Sequence, residues 1–265
     1  MLRLIKSLTK NGTKINDLTK NNVDIERIGS CGEPLAHDIG AWGISFFQTK
    51  RKNIVNTYFQ TETGGILIAP RDEDGISYDY STVGKCRNNL KINTADKLLN
   101  PKELKEENID PNELFIYEGN FGIFKEIESD KKSNYFSSKG FYRLNDIGFF
   151  DKEGFLYIGG RSDDVINVSG HRLSTSETES ICLRLDEIQD VCAVAKKDPM
   201  AGDRIVLFIS MNKSLKPDEK NIREKLNSLI IKELTSYHKP KEIYLFKGLP
   251  KTRSGKIMRR LMKIL

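Results

Sequence analysis

Gly160-Arg161-Ser162-Asp163-Asp164-Val165-Ile166-Asn167-Val168-Ser169-Gly170-His171-Arg172 lies in the middle of the chain, after an apolar run (Phe155 to Ile158) that reads as a strand and before a helical pattern. Two arginines, two adjacent aspartates and a Ser-Gly-His turn in so short a span do not suit a buried core. Asp163 and Asp164 would repel each other if both were buried and unpaired, so at least one faces solvent or a cation. The stretch reads as a joint between two bodies, with polar groups presented to a ligand.

Upstream, Ile25 to Ile28 and Asn53 to Tyr58 read as strands, and Asp38 to Gln48 carries Ile39, Trp42, Phe46 and Phe47 at helical spacing. Strand, helix, strand implies parallel pairing with a crossover. Ligands of open α/β sheets sit beyond the carboxyl ends of such strands, where Gly32-Glu33-Pro34 and Gln60-Thr61-Glu62 fall. From about Ile66 to Ile158 short apolar runs alternate with turn residues: Ile66 to Ile68, Leu114 to Tyr117, Gly122 to Phe124, and Phe149-Phe150 before an Asp151-to-Gly154 hairpin turn. This predicts a small β-rich subdomain. Residues 1 to 28 are polar, with a short amphipathic pattern at Leu2, Leu4, Ile5 and Leu8.

Downstream of the joint, Ser176-x-x-Glu179 has the form of a capping box opening a helix with Ile181 and Leu185. Strands are predicted at Val191 to Ala195, Arg204 to Met211 and Glu242 to Phe246, and a helix at Asp218 to Tyr237 with Ile222, Leu226, Leu229, Ile230 and Leu234 on one face. The result is a compact α+β domain of about 100 residues.

Composition narrows the function classes. At 265 residues, 38% apolar and 30% charged, the chain suits a globular protein of one or two domains. No run approaches a membrane span, and Met1 to Lys10 lacks the apolar centre of a signal peptide, so a cytoplasmic location without a membrane partner is expected. Cys31, Cys86, Cys182 and Cys192 are scattered without metal-ligand spacing and read as free core thiols. The net charge of +6 is spread among acids, except at the end, where Lys247, Lys251, Arg253, Lys256, Arg259, Arg260 and Lys263 have no acid among them. That cluster suits phosphates. Aromatics are not interleaved with it, which argues against a nucleic-acid partner.

Three stretches in order carry a resemblance: Thr57-Tyr58-Phe59-Gln60-Thr61-Glu62-Thr63-Gly64-Gly65, the joint through Leu173, and Pro250-Lys251-Thr252-Arg253-Ser254-Gly255-Lys256-Ile257-Met258-Arg259-Arg260. They resemble the adenylate-forming enzymes, and among them the AMP-forming acetyl-CoA synthetases and their propionyl-CoA relatives. The resemblance runs from about Gly29 to Arg260 and implies the C-terminal part of that fold. Residues 1–161 would then be the end of the AMP-binding large domain, as an α/β segment (1–68) and a β-rich subdomain (69–161). Residues 162–265 would be a mobile α+β domain hinged at Asp163.

Roles follow residue by residue. From residue type alone, Thr61 can donate to a phosphate oxygen and Glu62 can hold Mg²⁺; the alternative is a polar turn after a buried strand. The resemblance places Thr61 on the α-phosphate of ATP, with Asn56, Thr57, Tyr58, Phe59 and Gln60 also lining the nucleotide site. Gly32, Glu33 and Pro34, alone a turn, become part of the adenine pocket. Asp146, alone a turn aspartate, matches a carboxylate that accepts from both ribose hydroxyls, and Arg161 a second ribose contact. Arg172 is either a surface partner of Glu177 or Glu179 or, by resemblance, approaches the phosphates; Ser169 and Gly170 border the coenzyme A channel. Lys256, otherwise one more solvated lysine, becomes the catalytic ammonium, a flexible point charge suited to a phosphoryl transition state. A lysine acetyltransferase or deacetylase acting on it is an implied partner.

The implied reaction converts a short-chain carboxylate, ATP and coenzyme A into acyl-CoA, AMP and pyrophosphate, with a turn at Asp163 between the two steps. The match is incomplete. Phe59 and Cys31 replace a tryptophan and a valine of the acyl pocket, which leaves space for propionate or a slightly longer acid as the alternative to acetate. Leu144-Asn145 replaces the usual pair before the ribose aspartate, Ile231 replaces a coenzyme A-contacting arginine, and Leu185 replaces a histidine, so no accessory metal site is carried over. No Ser/Thr/Gly-rich phosphate loop precedes Gly29. The chain alone is therefore expected to be inactive, with the missing N-terminal half as a partner. The competing expectations are another adenylate-forming type, such as a peptide-synthetase adenylation domain, and a nucleotide-binding remnant without turnover.

Overall fold

The computed structural model describes residues 25–51, 54–74, 79–87, 90–118, 135–212, 218–253 and 255–265. The chain divides into two compact units, Met1–Ser162 and Asp163–Leu265. The apolar pattern at Leu2 to Leu8 and the strand expected at Gly122 to Phe124 lie outside the described residues.

In the first unit, β1 (Ile28–Ser30), α1 (His37–Phe47) and β2 (Ile54–Asn56) make the expected crossover, with β1 and β2 parallel and Ile28 opposite Ile54. Leu35, Ile39, Ile44 and Ile54 form its small core. The first strand starts later than expected: the Ile25 and Glu26 carbonyls accept from the amides of Lys50 and Arg51, and pairing with β2 begins at Ile28. The second expected strand is two. After Asn56 the chain is pinned by Thr57, whose amide and hydroxyl both donate to the Ser30 carbonyl (2.8 and 3.1 Å), and β3 (Tyr58–Gln60) then pairs antiparallel with β4 (Gly65–Ile68). This switch of partner sets Gln60-Thr61-Glu62 on a tight turn.

A five-stranded antiparallel sheet follows, in the order β5 (Thr82–Lys85), β9 (Phe155–Arg161), β8 (Tyr142–Phe150), β7 (Glu113–Glu118), β6 (Lys91–Thr94). Short helices α2 (Ala95–Leu98) and α3 (Pro101–Glu106) lie between β6 and β7 in sequence, and Asn100 caps α3 by accepting from Lys102 and Glu103. The hairpin turn between β8 and β9 is the expected one: Gly154 has φ 84°, and Asp151 Oδ1 accepts from the amides of Glu153 and Phe155. Tyr58, Leu67 and Ile68 pack with Leu114, Leu144 and Leu156 in one core, so residues upstream of 69 share the core of the β-rich part. Along β8 the buried positions are Tyr142, Leu144, Asp146 and Gly148. Period-2 alternation thus turns Asp146 inward with two core side chains.

The second unit contains β10 (Ile166–Val168), β11 (His171–Leu173), α4 (Thr175–Cys182), β12 (Ile188–Asp198), β13 (Gly202–Met211), α5 (Glu219–Glu233), β14 (Glu242–Phe246) and α6 (Arg259–Ile264). Its sheet runs β11-β10-β13-β12, with β14 parallel to β13. Val191 and Ala193 of β12 join Ile181, Leu207, Ile222, Leu226 and Ile230 on one face, while Cys192 and Val194 join Phe208, Leu249 and Met262 on the other. The sheet is covered on both sides, by α4 and α5 and by α6. The cap of α4 is Ser174, whose Oγ accepts from Glu177 N at 3.4 Å, rather than Ser176, which bonds to Ser174 Oγ at 2.8 Å. Helix α5 ends at Glu233 instead of Tyr237, and Ser236–His238 forms a separate 3₁₀ turn.

Candidate functional site

Asp146 is the centre of the first unit's polar cluster. Its Oδ2 accepts from the Tyr58 hydroxyl at 2.6 Å and from Gln60 Nε2 at 2.7 Å, while Arg161 Nη1 is 3.8 Å from Oδ1. Gln60 Nε2 also donates to the Leu144 carbonyl at 2.5 Å, and the Tyr142 hydroxyl donates to Gln60 Oε1 at 3.3 Å. Asp146 sits opposite Arg161 in the β8–β9 register and is only 7% exposed, so the expected turn aspartate is a strand residue. Burial, and then the adjacent Asp146 charge, push the Tyr58 phenol well above its ordinary pKa. Burial and the Glu62 charge raise that of Tyr142 as well. Both tyrosines are therefore neutral donors, Tyr58 to Asp146 and Tyr142 to Gln60.

Thr61 and Glu62 sit on the 3₁₀ turn Thr61–Thr63, closed by Gly64 at φ 68°. Thr63 Oγ1 braces this turn, accepting from Gln60 N (3.2 Å) and donating to Gln60 O (2.8 Å). Thr61 is exposed and Glu62 half-buried. Among the described residues no three His, Cys, Asp or Glu side chains converge on a metal site. The residues present that would hold a Mg²⁺ bound to phosphate oxygens are the Glu62 carboxylate and the Thr61 hydroxyl.

Cys31, Gly32 and Glu33 are exposed on the loop after β1, with Gly32 at φ 96°. Phe59 is 43% exposed, on the face of β3 away from Tyr58. Cys31 is thus not the core thiol expected of it. Asn56 was expected among the nucleotide-lining residues, but it is 3% exposed and its Nδ2 donates to the Ser81 and Thr82 carbonyls, both at 3.2 Å. Its side chain is committed to joining β2 to β5. Thr57 Oγ1 is likewise engaged with Ser30.

In the second unit, Asp163 is exposed while Asp164 meets two cations, Arg259 Nε at 3.0 Å and Lys263 Nζ at 2.7 Å. Ser169 (φ 51°) and Gly170 (φ 85°) form a tight left-handed turn between β10 and β11, and both are exposed. His171 stacks on Tyr237 with centroids 3.8 Å apart, and Arg172 is exposed. Lys256 lies on a small hairpin: Thr252 N donates to Lys256 O (2.8 Å), Gly255 N to Thr252 O (2.9 Å) and Lys256 N to Thr252 Oγ1 (3.1 Å). Its side chain is exposed, and its backbone is paired with Thr252 across the hairpin.

Glu179 and Arg259, which the sequence places in a capping box and in a phosphate-suited cluster, pair with each other instead. Glu179 is 8% exposed and accepts from Ala193 N at 2.7 Å and from Arg259 Nη1 at 2.5 Å. A signal existed, because Glu179 shares the face of α4 that carries Thr175, Thr178 and Cys182, all buried. Burial pushes the thiols of Cys182 and Cys192 up to about 12, which suits packing and not nucleophilic chemistry.

Residues 177–256 match the family described as AMP-binding enzyme C-terminal domain. The chain is 32% identical to the acetyl-coenzyme A synthetase of Chlorobaculum tepidum over 251 residues, which are 93% of this chain and 37% of that protein. It is 34% identical to the acetyl-coenzyme A synthetase of Pasteurella multocida over 272 residues, covering 98% of this chain and 40% of that one. Among solved structures, the o-succinylbenzoate CoA synthetase of Bacillus subtilis in complex with an acyl-adenylate intermediate shares the fold, with a TM-score of 0.72 at 18% identity over 95% of this chain and 49% of that one. The chain thus spans about two fifths of the length of these curated relatives. Among the described residues no helix is long and apolar enough to cross a membrane. Residues 177–256 of the second unit are thus similar to the AMP-binding enzyme C-terminal domain, and the chain as a whole is similar in sequence to part of acetyl-coenzyme A synthetases and in fold to part of the o-succinylbenzoate CoA synthetase.

Proposed function

We propose that this chain is the C-terminal part of an AMP-forming short-chain acyl-CoA synthetase of the acetate type, with ATP, a carboxylate and coenzyme A as substrates. The observation that carries the proposal is the buried Asp146 carboxylate, fixed by Tyr58 and Gln60 beside Arg161 and next to the Thr61-Glu62 turn. A pre-oriented acceptor next to a hydroxyl donor and a carboxylate is what a ribose followed by a phosphate requires. Asp146 accepts from ribose hydroxyls, Arg161 adds a donor, and Thr61 donates to the α-phosphate. The loop at Gly32-Glu33-Pro34 borders the base. Glu62 would hold Mg²⁺, which supplies charge neutralisation to the phosphates when bound.

In the first step a carboxylate oxygen attacks the α-phosphorus and the bond to pyrophosphate breaks. The Lys256 ammonium stabilises the charge that builds on the phosphoryl oxygens. In the second step the coenzyme A thiolate attacks the acyl carbon and AMP leaves, with the Ser169-Gly170 turn bordering the thiol's approach and Arg172 near the phosphates. The unit carrying Lys256 turns at Asp163 between them. Phe59, exposed beside the Thr61 turn, leaves room for propionate as well as acetate.

Calorimetric titration of the chain with AMP tests the reading. Binding is expected, and D146N should weaken it about tenfold to a hundredfold, the value of a hydrogen bond to a charged group (about 1.5–3 kcal/mol). Equal affinity of wild type and a folded D146N would overturn it.

A further inference from the structure

The basic C-terminal tail separates into two kinds of cation. Among the described residues Lys247, Arg253, Lys256 and Arg260 make no ion pair, whereas Lys251, Arg259 and Lys263 each reach a carboxylate. Arg259, the first residue of α6, turns inward. Its Nη1 and Nη2 donate to Glu179 Oε1 and Oε2 at 2.5 and 3.1 Å, Nη1 donates to the Ala193 carbonyl at 2.5 Å, and Nε is 3.0 Å from Asp164 Oδ2. One helical turn on, Lys263 donates to Asp164 Oδ1 at 2.7 Å and to the Asp163 carbonyl at 3.1 Å. At the opposite end of the Lys256 hairpin, Lys251 Nζ is 2.6 Å from Asp190 Oδ1.

The Arg259 anchor is not an ordinary surface pair. The side chains of Arg259, Asp164 and Glu179 are 22%, 19% and 11% exposed, so water screens them weakly. Burial opposes the Arg259 charge, but the hydrogen bond and charge of Glu179, with help from Asp164, outweigh it and hold the guanidinium above its ordinary pKa. A planar fork can serve Glu179, Ala193 and Asp164 together, which a single ammonium cannot. The hairpin itself is closed by the Lys251–Ile257 bridge and by Met258 N donating to Pro250 O at 2.9 Å. Lys256 is therefore a free charge on a loop whose two feet are both fixed, and one foot is fixed to the residue next to Asp163.

We propose that Asp164 and Arg259 are positioning residues for Lys256: they clamp the hairpin and α6 to the first residues of the second unit, so that a turn at Asp163 carries the Lys256 ammonium with it as part of one body. The inference rests on the reading above, in which Lys256 acts on the phosphoryl group and Asp163 is the hinge. It assigns Asp164 the role of joining the two, through side chains about a hundred residues apart in the chain.

The test is amide hydrogen exchange by mass spectrometry on the 265-residue chain as wild type, D164N and D164E, with the acylation rate of Lys256 measured against that of exposed Lys102. D164N should speed exchange across residues 256 to 264 at least tenfold and change the relative reactivity of Lys256. Exchange in β12 and β13 should stay at the wild-type rate, because their own ladder and core, which do not include Asp164, hold them. D164E, which keeps the charge on a longer arm, should restore most of the protection, a rescue that a merely space-filling role would not show. Exchange in 256 to 264 within twofold of wild type in D164N, or equal acceleration throughout the second unit, would overturn the clamp. A wild-type chain that fails to bind AMP would overturn the functional reading and leave the exchange result standing, so the two failures are distinct.

Discussion

Replacing Tyr58 by phenylalanine removes one hydroxyl and leaves the ring packed among Leu67, Ile68, Leu144 and Leu156. That hydroxyl donates to the buried Asp146 carboxylate at 2.6 Å. A hydrogen bond to a charged group is worth about 1.5–3 kcal/mol. Gln60 still donates to the same oxygen at 2.7 Å, which places the expected loss near the lower end, about 1.5–2 kcal/mol. Trp42 is the only tryptophan of the chain and belongs to the first unit, so its fluorescence follows that unit through a urea titration. With a slope of about 1–3 kcal/mol/M, the midpoint should fall by roughly 0.5–2 M.

The pH dependence of the same variant has a definite sign. The folded protein holds the Tyr58 phenol well above its ordinary value of 10, so the unfolded chain releases that proton first. The stabilisation is fully present below pH 10 and is lost as pH rises above it. The gap between wild type and Y58F should be constant from about pH 6 to 9 and narrow above about pH 10. An unchanged midpoint at neutral pH, or a gap undiminished at alkaline pH, would refute the reasoning.

Two further substitutions test the packing. Leu226→Ala, at a fully buried position of α5, should cost about 2–5 kcal/mol and lower the unfolding transition of the second unit seen by far-ultraviolet circular dichroism, while the Trp42 transition stays in place. Gly84→Ala should do the reverse: Gly84 has φ +99°, and a Cβ there would lie 2.8 Å from Pro70 N and 2.9 Å from the Ala69 carbonyl carbon, so the Trp42 transition should fall by about 1–3 kcal/mol or more.

Much of this architecture is legible in residue order because local chemistry decides it. The crossover through α1, the Asp151-to-Gly154 turn and the apolar face of α5 follow from periodicity and turn residues alone. That at least one of the adjacent aspartates faces solvent or a cation follows from their repulsion, and Asp164 meets two cations. What escaped is decided by partners distant in sequence. Glu179 finds Arg259 across 80 residues, and neither spacing nor composition distinguishes Arg259 from Arg260 beside it. Ser174 and Ser176 are equivalent candidates for the cap of α4, and the choice matters because Glu179 lies on the inward face of that helix. Asp146 looked like a turn residue because Asn145-Asp146 is common in turns. The strand continues through Asn145 at φ 52°, and Tyr58 and Gln60 make the inward carboxylate tolerable. Asn56 and Thr57 fell within a motif associated with nucleotide binding, yet their polar atoms serve the backbone of neighbouring strands.

The central claim is tested most directly by carboxylate-dependent AMP formation from ATP and coenzyme A, assayed over acetate, propionate and butyrate with this chain alone and with the upstream segment of an acetyl-coenzyme A synthetase joined to it. The account predicts AMP formation by the joined protein with acetate or propionate, reduced a hundredfold or more by Lys256→Ala, in line with the loss of about 3–4 kcal/mol of charge stabilisation. A joined protein that folds and binds AMP yet forms none from any of the three acids, or one that is indifferent to Lys256, would contradict it.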